Sequence, residues 1–379
     1  MIRGHILHII TGLEVGGAEM ALYRLILEFR GSQYTHTVIA LTSEGGMYAR
    51  FVESGIKLIV LDVRHSPVSQ ILRLYRLVRA LRPDIVQTWL YHADFLGGLA
   101  ARVAGIRNVI WGLRTTDVDG GCARATSVVR KLCAALSSRV PHTIVCVAEA
   151  ARRSHSLIGY DPARMVVVGN GFDLSVLTST QLERNQLRAL CGFGADDIVL
   201  GTLGRFNLDK DHANFVHAAG QLARRHDRLR FLMVGKDLDP NNTDLIRWLD
   251  DTGYANRFVL LGERADAAAC LAAMDIFCLS SRTEAFPNAV GEAMAMGLPC
   301  VATDVGDVGV LMADTGVLVP KADPYALAQG VAKLLALGPE YRKQIGERAR
   351  ERIRATYTMA CVRQQFELIY ENVMARGEL

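Results

Sequence analysis

The sequence has few of the features that mark membrane-spanning, secreted or disordered chains. Only 10 of its 379 residues are Pro and 7% are aromatic, and no stretch without Asp, Glu, Lys or Arg exceeds the 13 residues 31–43. A membrane-spanning helix needs ~20 consecutive apolar residues, so we expect none. The first ten residues lack the long apolar core of a secretory signal, and Glu14 follows soon after. We therefore expect a soluble protein of the cytoplasm.

The eight cysteines include no Cys-x-x-Cys pair. Several lie inside apolar runs, as Cys146 and Cys278 do. Cysteines in that setting behave as small core residues of a protein in a reducing compartment. This pattern argues against a disulfide framework, a zinc site or a redox pair.

The length of the chain favours two domains, and its 50% hydrophobic content is enough for two cores. Short β-branched runs alternate with helix-length amphipathic segments, which predicts parallel sheets covered by helices on both faces. We expect an α/β fold of two Rossmann-like, doubly wound domains facing a central cleft. The predicted division is 1–175, a linker at 176–185, and 186–358, with a helix at 359–379 packing back on the first domain.

The net charge of +4 hides an asymmetry between the two halves of the chain. Residues 1–180 carry 20 Lys and Arg against 13 Asp and Glu, whereas residues 181–379 carry 23 against 26. The basic excess lies in two helical stretches, one at 124–139 and one containing Arg73, Arg76, Arg79 and Arg82. Such helices either lie on an anionic bilayer or present an ordinary solvated face. No recognition motif accompanies them, so we expect no nucleic-acid binding.

A glycine-rich loop follows the first predicted strand. It contains Gly16 and Gly17 and precedes a helix whose N-terminal N–H groups are available to an anion. The loop lacks the G-x-G-x-x-G spacing, which argues against a dinucleotide cofactor. The alternative is that this loop is a tight turn that binds no ligand.

A second loop follows the first strand of the second domain and carries Arg205 and Lys210. A planar guanidinium and a compact ammonium together suit a diphosphate. The alternative is a pair of surface ion pairs with Asp209 and Asp211.

The third motif places two carboxylates around a strand-to-helix turn. Glu284 follows a predicted strand at 276–279, and Glu292 comes after seven intervening residues, about one and a half turns into a helix. Pro287 fits the first turn of that helix, where its missing N–H costs nothing. The turn adds backbone N–H groups for an anion near Phe286 and Asn288. The alternative is that Glu284 only caps the helix and that Glu292 is solvated.

These motifs occur in one order, together with Asn170-Gly171-Phe172-Asp173 and the run 293–304. The set resembles the family-4 retaining glycosyltransferases of the GT-B fold over essentially the whole chain. The resemblance implies that Arg205 and Lys210 neutralise the diphosphate of a nucleotide-sugar and that Glu292 holds its ribose. Glu284 would hold the transferred sugar. Ala285 departs from the glycine that is usual in the family. The donor-binding residues implied are Gly16, Gly17, Arg205, Lys210, Glu284, Ala285, Phe286, Pro287, Asn288 and Glu292.

The resemblance also implies residues for the acceptor. His92 follows the fourth predicted strand, where the family often has a histidine near the reacting sugar; a satisfied structural histidine is the alternative. Arg114, at the end of the next strand, is a second candidate for acceptor contact. The catalytic residues predicted are therefore Glu284, Arg205, Lys210 and His92.

The implied reaction is transfer of a hexose or N-acetylhexosamine, with retention, from a nucleoside-diphosphate sugar. UDP is preferred over GDP, and the acceptor is a cell-envelope glycan or lipid-linked saccharide. The alternatives are a GT-B nucleotide-sugar epimerase and a non-catalytic nucleotide-sugar-binding subunit.

Metal ligands are sparse in the sequence. Three Asp-x-Asp matches occur, at Asp117/Asp119, Asp209/Asp211 and Asp237/Asp239, and none closes a strand among further ligands. We expect no cofactor and no metal requirement.

Overall fold

A computed structural model describes residues 4–42, 45–116 and 124–376. The chain forms two compact units. Unit 1 contains Met1–Gly171 and Met359–Leu379, and unit 2 contains Phe172–Thr358.

Unit 1 is a seven-stranded parallel sheet in the order β3-β2-β1-β4-β5-β6-β7. Its strands are β1 (Gly4–Ile10), β2 (Tyr34–Ala40), β3 (Lys57–Val60), β4 (Ile85–Trp89), β5 (Val109–Leu113), β6 (Thr143–Cys146) and β7 (Met165–Val167). Its helices are α1 (Gly17–Glu28), α2 (Tyr48–Glu53), α3 (Pro67–Leu81), α4 (Tyr91–Val103), α5 (Arg124–Leu136), α6 (Glu149–Leu157) and, from the end of the chain, α15 (Met359–Arg376). Every residue of β4 and β5 is buried, as in a parallel sheet covered on both faces.

The last helix completes the core of unit 1. The Tyr370 hydroxyl donates a hydrogen bond to Gln87 Oε1 on β4 (2.6 Å). Its ring contacts Phe29 and Tyr34, and Phe366 packs in the same cluster. Apolar burial thus holds α15 against β4 and α1.

Unit 2 is a six-stranded parallel sheet in the order β10-β9-β8-β11-β12-β13. Its strands are β8 (Ile198–Leu203), β9 (Leu229–Val234), β10 (Phe258–Leu260), β11 (Ile276–Leu279), β12 (Cys300–Thr303) and β13 (Gly316–Val319). Its helices are α7 (Gln181–Leu190), α8 (His212–Ala223), α9 (Thr243–Thr252), α10 (Ala267–Ala272), α11 (Asn288–Ala295), α12 (Val308–Met312), α13 (Pro324–Ala336) and α14 (Gly338–Thr356). The predicted fold class, two parallel-sheet α/β units, is confirmed.

The segment predicted as a linker, 176–185, contains the first turn of a helix. Thr180 and Glu183 form a capping box that starts α7. Arg184 and Arg188 then bind the two carboxylate oxygens of Asp275, at 2.6 and 3.1 Å. The helix is therefore part of unit 2, anchored by a residue about 90 positions away in the sequence.

Both sheets reverse their strand order at one point, between β1 and β4 in unit 1 and between β8 and β11 in unit 2. Ligands of open α/β sheets bind outside the carboxyl ends of the strands at such a point. The loops singled out in the sequence follow these four strands. No helix among the described residues is both long and apolar enough to cross a membrane.

Candidate active site

The loop after β8 presents two cations in different surroundings. A short 3-10 turn at Leu208–Lys210 is capped by Asn207, whose side chain accepts a hydrogen bond from Lys210 N. Arg205 is exposed, and no hydrogen bond or ion pair of its guanidinium is found within the described residues. Lys210, by contrast, is turned inward, with 24% of its side chain exposed.

Lys210 meets Glu284 across the switch point. Its Nζ lies 2.5 Å from Glu284 Oε1, which also accepts a hydrogen bond from Ser281 Oγ (2.7 Å). Only 10% of the Glu284 side chain is exposed. The ammonium predicted to bind phosphate and the carboxylate predicted to bind sugar thus form one ion pair. The alternative, ion pairs of the two cations with Asp209 and Asp211, is wrong, because Asp211 pairs with Arg282 instead.

The loops after β8 and β11 are held together by further contacts that the sequence analysis missed. Ser280 Oγ donates to the carbonyl of Lys210 (2.8 Å), and Arg282 N donates to the carbonyl of Asp209 (2.7 Å). Arg282 Nε also binds Asp211 Oδ2 (2.8 Å). Because β8 and β11 are neighbours, these short contacts fix the two loops as one surface. The available signal was that Ser280 and Arg282 directly follow a buried strand.

A third loop supports the turn that carries Glu284. Gly306 follows β12 with φ +56°, and a Cβ there would lie 2.0 Å from the Glu284 carbonyl oxygen. Nearby, Asp307 N donates to the carbonyl of Ala285 (3.2 Å). Position 306 therefore requires glycine both for its backbone conformation and for the close approach of two main chains.

The helix after this turn begins one residue later than predicted. Pro287 precedes α11, with ψ 81°, so the expectation that it occupies the first turn is wrong. Glu292 is the fifth residue of α11 and is half-buried. On the same helix, Gly291 leaves room for the ring of Phe172, which stacks on Phe286 at 6.1 Å. The Asn170–Asp173 motif thus supplies a ring that packs under the carboxylate-bearing turn.

The loops after β9 and β10 adjoin the same edge of unit 2. Gly235 has φ +150°, and a Cβ there would lie 2.1 Å from the Gly204 carbonyl oxygen. Its N–H donates to Gly262 O (2.8 Å), and Phe206 N donates to Lys236 O (2.8 Å). The backbone of the Arg205 loop is therefore held from both sides. Nothing in the sequence distinguishes Gly235, Lys236 or Gly262 from other loop residues.

In unit 1, Gly16 precedes α1 and Gly17 is its first residue. A Cβ on Gly16 would lie 2.5 Å from Glu19 Oε2, so the nearly buried Glu19 carboxylate occupies that space. The need for glycine at position 16 is thus explained in part by packing against Glu19. The predicted contacts of Gly16 and Gly17 with the donor stay a prediction.

His92 lines a cavity of about 210 Å³ in unit 1. Burial, reinforced by the charge of Arg64, lowers the pKa of the half-buried His92 imidazole below its usual 6.5, so the ring is neutral at neutral pH. The cavity lies beyond the carboxyl ends of β1 to β4. Its lining residues are Thr11, Leu41, Thr42, Val63, Arg64, His92 and Leu96.

The start of α4, where His92 lies, is fixed by a buried carboxyl group. Asp94 Oδ1 accepts hydrogen bonds from Thr88 Oγ1 (2.5 Å) and Gly112 N (3.2 Å). Burial raises the pKa of Asp94 to about 8. The preceding residue Leu90 has φ +75°, uncommon for a residue with a side chain. The turn before His92 is therefore held in a constrained conformation.

Arg114 is held by its own neighbours in unit 1. Its Nη2 donates to Asn170 Oδ1 (2.5 Å), and its guanidinium carbon lies 5.0 Å from the centre of the Trp89 ring. Burial lowers its pKa to about 10, opposed by the charge of Glu19, so the side chain remains a cation at neutral pH. Its predicted acceptor contact stays a prediction.

Metal-ligating groups do not converge among the described residues, where no cluster of three or more His, Cys, Asp or Glu could hold an ion. Asp211 binds Arg282, and Asp239 Oδ1 accepts a hydrogen bond from Asn241 N (2.8 Å). The remaining Asp-x-Asp match, Asp117/Asp119, lies outside the described residues.

Comparison with known proteins gives matches in both units. Residues 197–337 match the family model described as glycosyl transferases group 1, and residues 15–176 match the model described as glycosyltransferase family 4.

Two curated relatives and one solved structure are similar. UDP-Gal:alpha-D-GlcNAc-diphosphoundecaprenol alpha-1,3-galactosyltransferase of Escherichia coli is 26% identical over 63% of this chain and 62% of its own length. The capsular polysaccharide biosynthesis glycosyltransferase CapM of Staphylococcus aureus is 24% identical over 83% of both chains. The crystal structure of Anabaena HepE in complex with UDP has a TM-score of 0.87 at 19% identity, covering 97% of this chain and 100% of that one.

Proposed function

The chain belongs to the family-4 glycosyltransferases of the GT-B fold, and we propose that it is a retaining enzyme of cell-envelope glycan synthesis. Its donor would be a nucleoside-diphosphate hexose or N-acetylhexosamine. The acceptor would be a hydroxyl group of a glycan or lipid-linked saccharide. The observation that carries the proposal is the convergence of Arg205, Lys210 and Glu284 at the switch point of unit 2.

In this proposal, unit 2 binds the donor. Arg205 and Lys210 neutralise the diphosphate, Glu284 binds hydroxyls of the sugar, and Glu292 binds the ribose. The turn of residues 285–288, at the N-terminus of α11, contributes backbone N–H groups. When the donor binds, its phosphate and hydroxyl groups take over the contacts that Lys210 and Glu284 make with each other in the ligand-free protein.

The chemistry proposed is electrostatic. The bond between the anomeric carbon and the diphosphate breaks while the acceptor oxygen bonds to that carbon from the same face. A phosphate oxygen takes the acceptor proton. Fixed cations stabilise the charge on the leaving diphosphate, an effect typically worth several kcal/mol. In this proposal Glu284 binds hydroxyl groups of the sugar and does not act as a nucleophile.

UDP is the nucleotide we favour, and a lipid-linked saccharide is the acceptor we favour. The name of the Escherichia coli relative gives UDP-galactose as its donor and a diphosphoundecaprenol-linked sugar as its acceptor.

We place the enzyme in the cytoplasm, since all seven cysteines within the described residues are free thiols.

The donor assignment is tested by thermal unfolding with UDP, GDP, UDP-glucose, UDP-galactose and UDP-N-acetylglucosamine. A nucleotide at a hundred times its dissociation constant adds ~2.7 kcal/mol to the free energy of unfolding, so the matching one should raise Tm clearly. Transfer by the matching donor should be unchanged in excess EDTA. Stabilisation by none of the five would contradict the donor assignment, and a loss in EDTA that magnesium restores would contradict metal independence. Donor epimerised without acceptor would indicate an epimerase, and binding without any turnover a non-catalytic subunit.

On the acceptor side, we propose that the cavity at His92 binds an anionic group of the acceptor. Arg64 supplies a cation there, and the neutral His92 and the hydroxyl groups of Thr11 and Thr42 supply polar contacts. Thr11 Oγ1 is buried without a hydrogen-bond partner, a group that a ligand would satisfy.

Arg64→Gln is expected to raise the KM for a diphospholipid-linked N-acetylglucosamine acceptor about tenfold, the effect of one lost charge-assisted hydrogen bond. The affinity for the donor nucleotide should stay unchanged, because Arg64 belongs to unit 1. Arg102→Gln removes an exposed cation of the same unit and serves as the control. An unchanged acceptor KM in Arg64→Gln would show that the cavity is not part of the acceptor site.

A further inference from the structure

The first residue of α8 contacts the main chain of the Arg205 loop. His212 Nε2 lies 3.2 Å from the carbonyl oxygen of Arg205. The chain reaches this contact through Asp211, which has φ +47°, a conformation uncommon for a residue with a side chain. Asp211 is itself held by the ion pair between its Oδ2 and Arg282 Nε, at 2.8 Å. The turn that brings His212 back to the Arg205 loop is therefore fixed.

The surroundings of the His212 ring determine which nitrogen carries the proton. Only 3% of His212 is exposed, and burial lowers the pKa of its imidazole to about 4, so the ring is neutral at neutral pH. A neutral imidazole has one N–H group and one unprotonated nitrogen. Because a carbonyl oxygen only accepts hydrogen bonds, the N–H group is at Nε2, which donates to Arg205 O. Nδ1 is then an acceptor, and it is buried without a hydrogen-bond partner among the described residues.

Stacked rings hold the residue that follows Arg205. The Phe206 ring stacks with His212 and with Trp248, at distances of 5.9 and 5.5 Å between ring centres. The N–H groups of Gly204 and Phe206 donate to carbonyl oxygens at the end of β9 and in the loop after it. The main chain on both sides of Arg205 is thus fixed, whereas the Arg205 side chain is exposed.

Packing by itself favours an apolar ring at position 212. A buried acceptor without a partner lowers the stability of the folded protein. Phenylalanine would fill a similar space and stack on Phe206 in the same way without that cost. What histidine adds is the Nε2–H group and its hydrogen bond to the Arg205 loop.

We propose that His212 is a positioning residue for Arg205, whose carbonyl group it holds so that the guanidinium is presented to the donor diphosphate from a fixed main chain. The inference rests on the proposed role of Arg205 in donor binding and adds a buried residue that acts through it. A cation on a fixed main chain has fewer degrees of freedom to lose when it binds phosphate, and such preorganisation strengthens electrostatic stabilisation.

The test is a double-mutant cycle between His212 and Arg205, with the Kd of UDP measured by titration calorimetry. His212→Phe keeps a ring in the stack but loses the donor, so it should weaken UDP binding roughly fivefold, the effect of one hydrogen bond. In the Arg205→Ala background the same substitution should change the Kd by less than about twofold, because the residue through which it acts is gone.

A conservative variant separates the hydrogen bond from the ring. The amide N–H of His212→Gln reaches about as far as Nε2, so this variant should bind UDP within about twofold of the parent protein. His212→Asn is too short to reach and should lose affinity as His212→Phe does, which keeps the test available if His212→Phe does not fold. His217 is exposed on the same helix, and His217→Phe and His217→Gln are controls that should bind like the parent protein.

The outcomes distinguish this inference from the proposed function. Absence of UDP binding by the parent protein, or unchanged binding in Arg205→Ala, would overturn the donor site and this inference with it. A loss in Arg205→Ala without a loss in His212→Phe or His212→Asn would overturn the positioning role alone. An equal loss from His212→Phe in both backgrounds, or a loss in His212→Gln as large as in His212→Asn, would do the same.

Discussion

Glu284→Gln and Lys210→Met are each expected to lower turnover at least a hundredfold, and the double variant to lose little more than either one. The two groups lie 2.5 Å apart and are mostly buried, so removing one leaves the other charge without its partner. In the proposed mechanism the same two groups hold the diphosphate and the sugar. Residues that act as a unit give strongly non-additive losses. Measuring kcat and KM for the parent, the two single variants and the double variant gives the coupling energy between the two residues.

A matched control is the pair Asp244 and Arg247 on α9, which is exposed and 2.9 Å apart in the same unit. Exposed pairs of this kind contribute ~0–1 kcal/mol, so Asp244→Asn/Arg247→Gln should retain parental turnover and stability. Fully additive losses for Lys210 and Glu284 would show that the two residues act independently. Near-normal turnover in Glu284→Gln would leave the ion pair with a structural role only.

Arg205→Ala is expected to lower kcat/KM at least a hundredfold while changing the free energy of unfolding by about 0.5 kcal/mol or less. The side chain is exposed, and no partner of its guanidinium is found in the described parts of the chain, so its removal leaves nothing unsatisfied. The proposed role is to stabilise charge on the leaving diphosphate, which grows in the transition state and so affects kcat as well as KM.

Arg205→Lys separates charge from geometry. An ammonium keeps the positive charge but loses the planar fork that binds two phosphate oxygens, so this variant should lie between the parent and Arg205→Ala. Equal turnover in all three proteins would place Arg205 outside the donor site. A matching loss of stability in Arg205→Ala would point to a folding defect, which circular dichroism and Tm would reveal.

The sequence placed Arg205 and Glu284 on loops at strand ends, and the structure has them there. It did not predict that Lys210 pairs with Glu284, since that contact depends on which strands are neighbours. The position of Pro287 was missed by one residue, because proline fits both the flank and the first turn of a helix. Residues 181–185, the first half of α7, were assigned to a linker, because the anchor of this helix, Asp275, is distant in the chain.

The glycines also show what could not be predicted from the sequence. Nothing in the sequence marks Gly235 or Gly306 as special. Each lies so close to a carbonyl oxygen of another loop that a Cβ has no room. The glycines of the first loop stood out because they are adjacent, although Gly16 is explained in part by its neighbour Glu19. Clustering in sequence is visible without a structure, whereas a close approach of two loops is not.

The sequence by itself determined the architecture and the loops that bear chemistry. Hydrophobic periodicity is local, so alternating strands and helices predict two parallel sheets, and the carboxyl end of each strand predicts where polar loops gather. Tertiary structure alone decided that β11 lies beside β8 and that Lys210 therefore meets Glu284. Such neighbours are chosen by burial and hydrogen bonding between segments far apart in the chain, which no local pattern encodes.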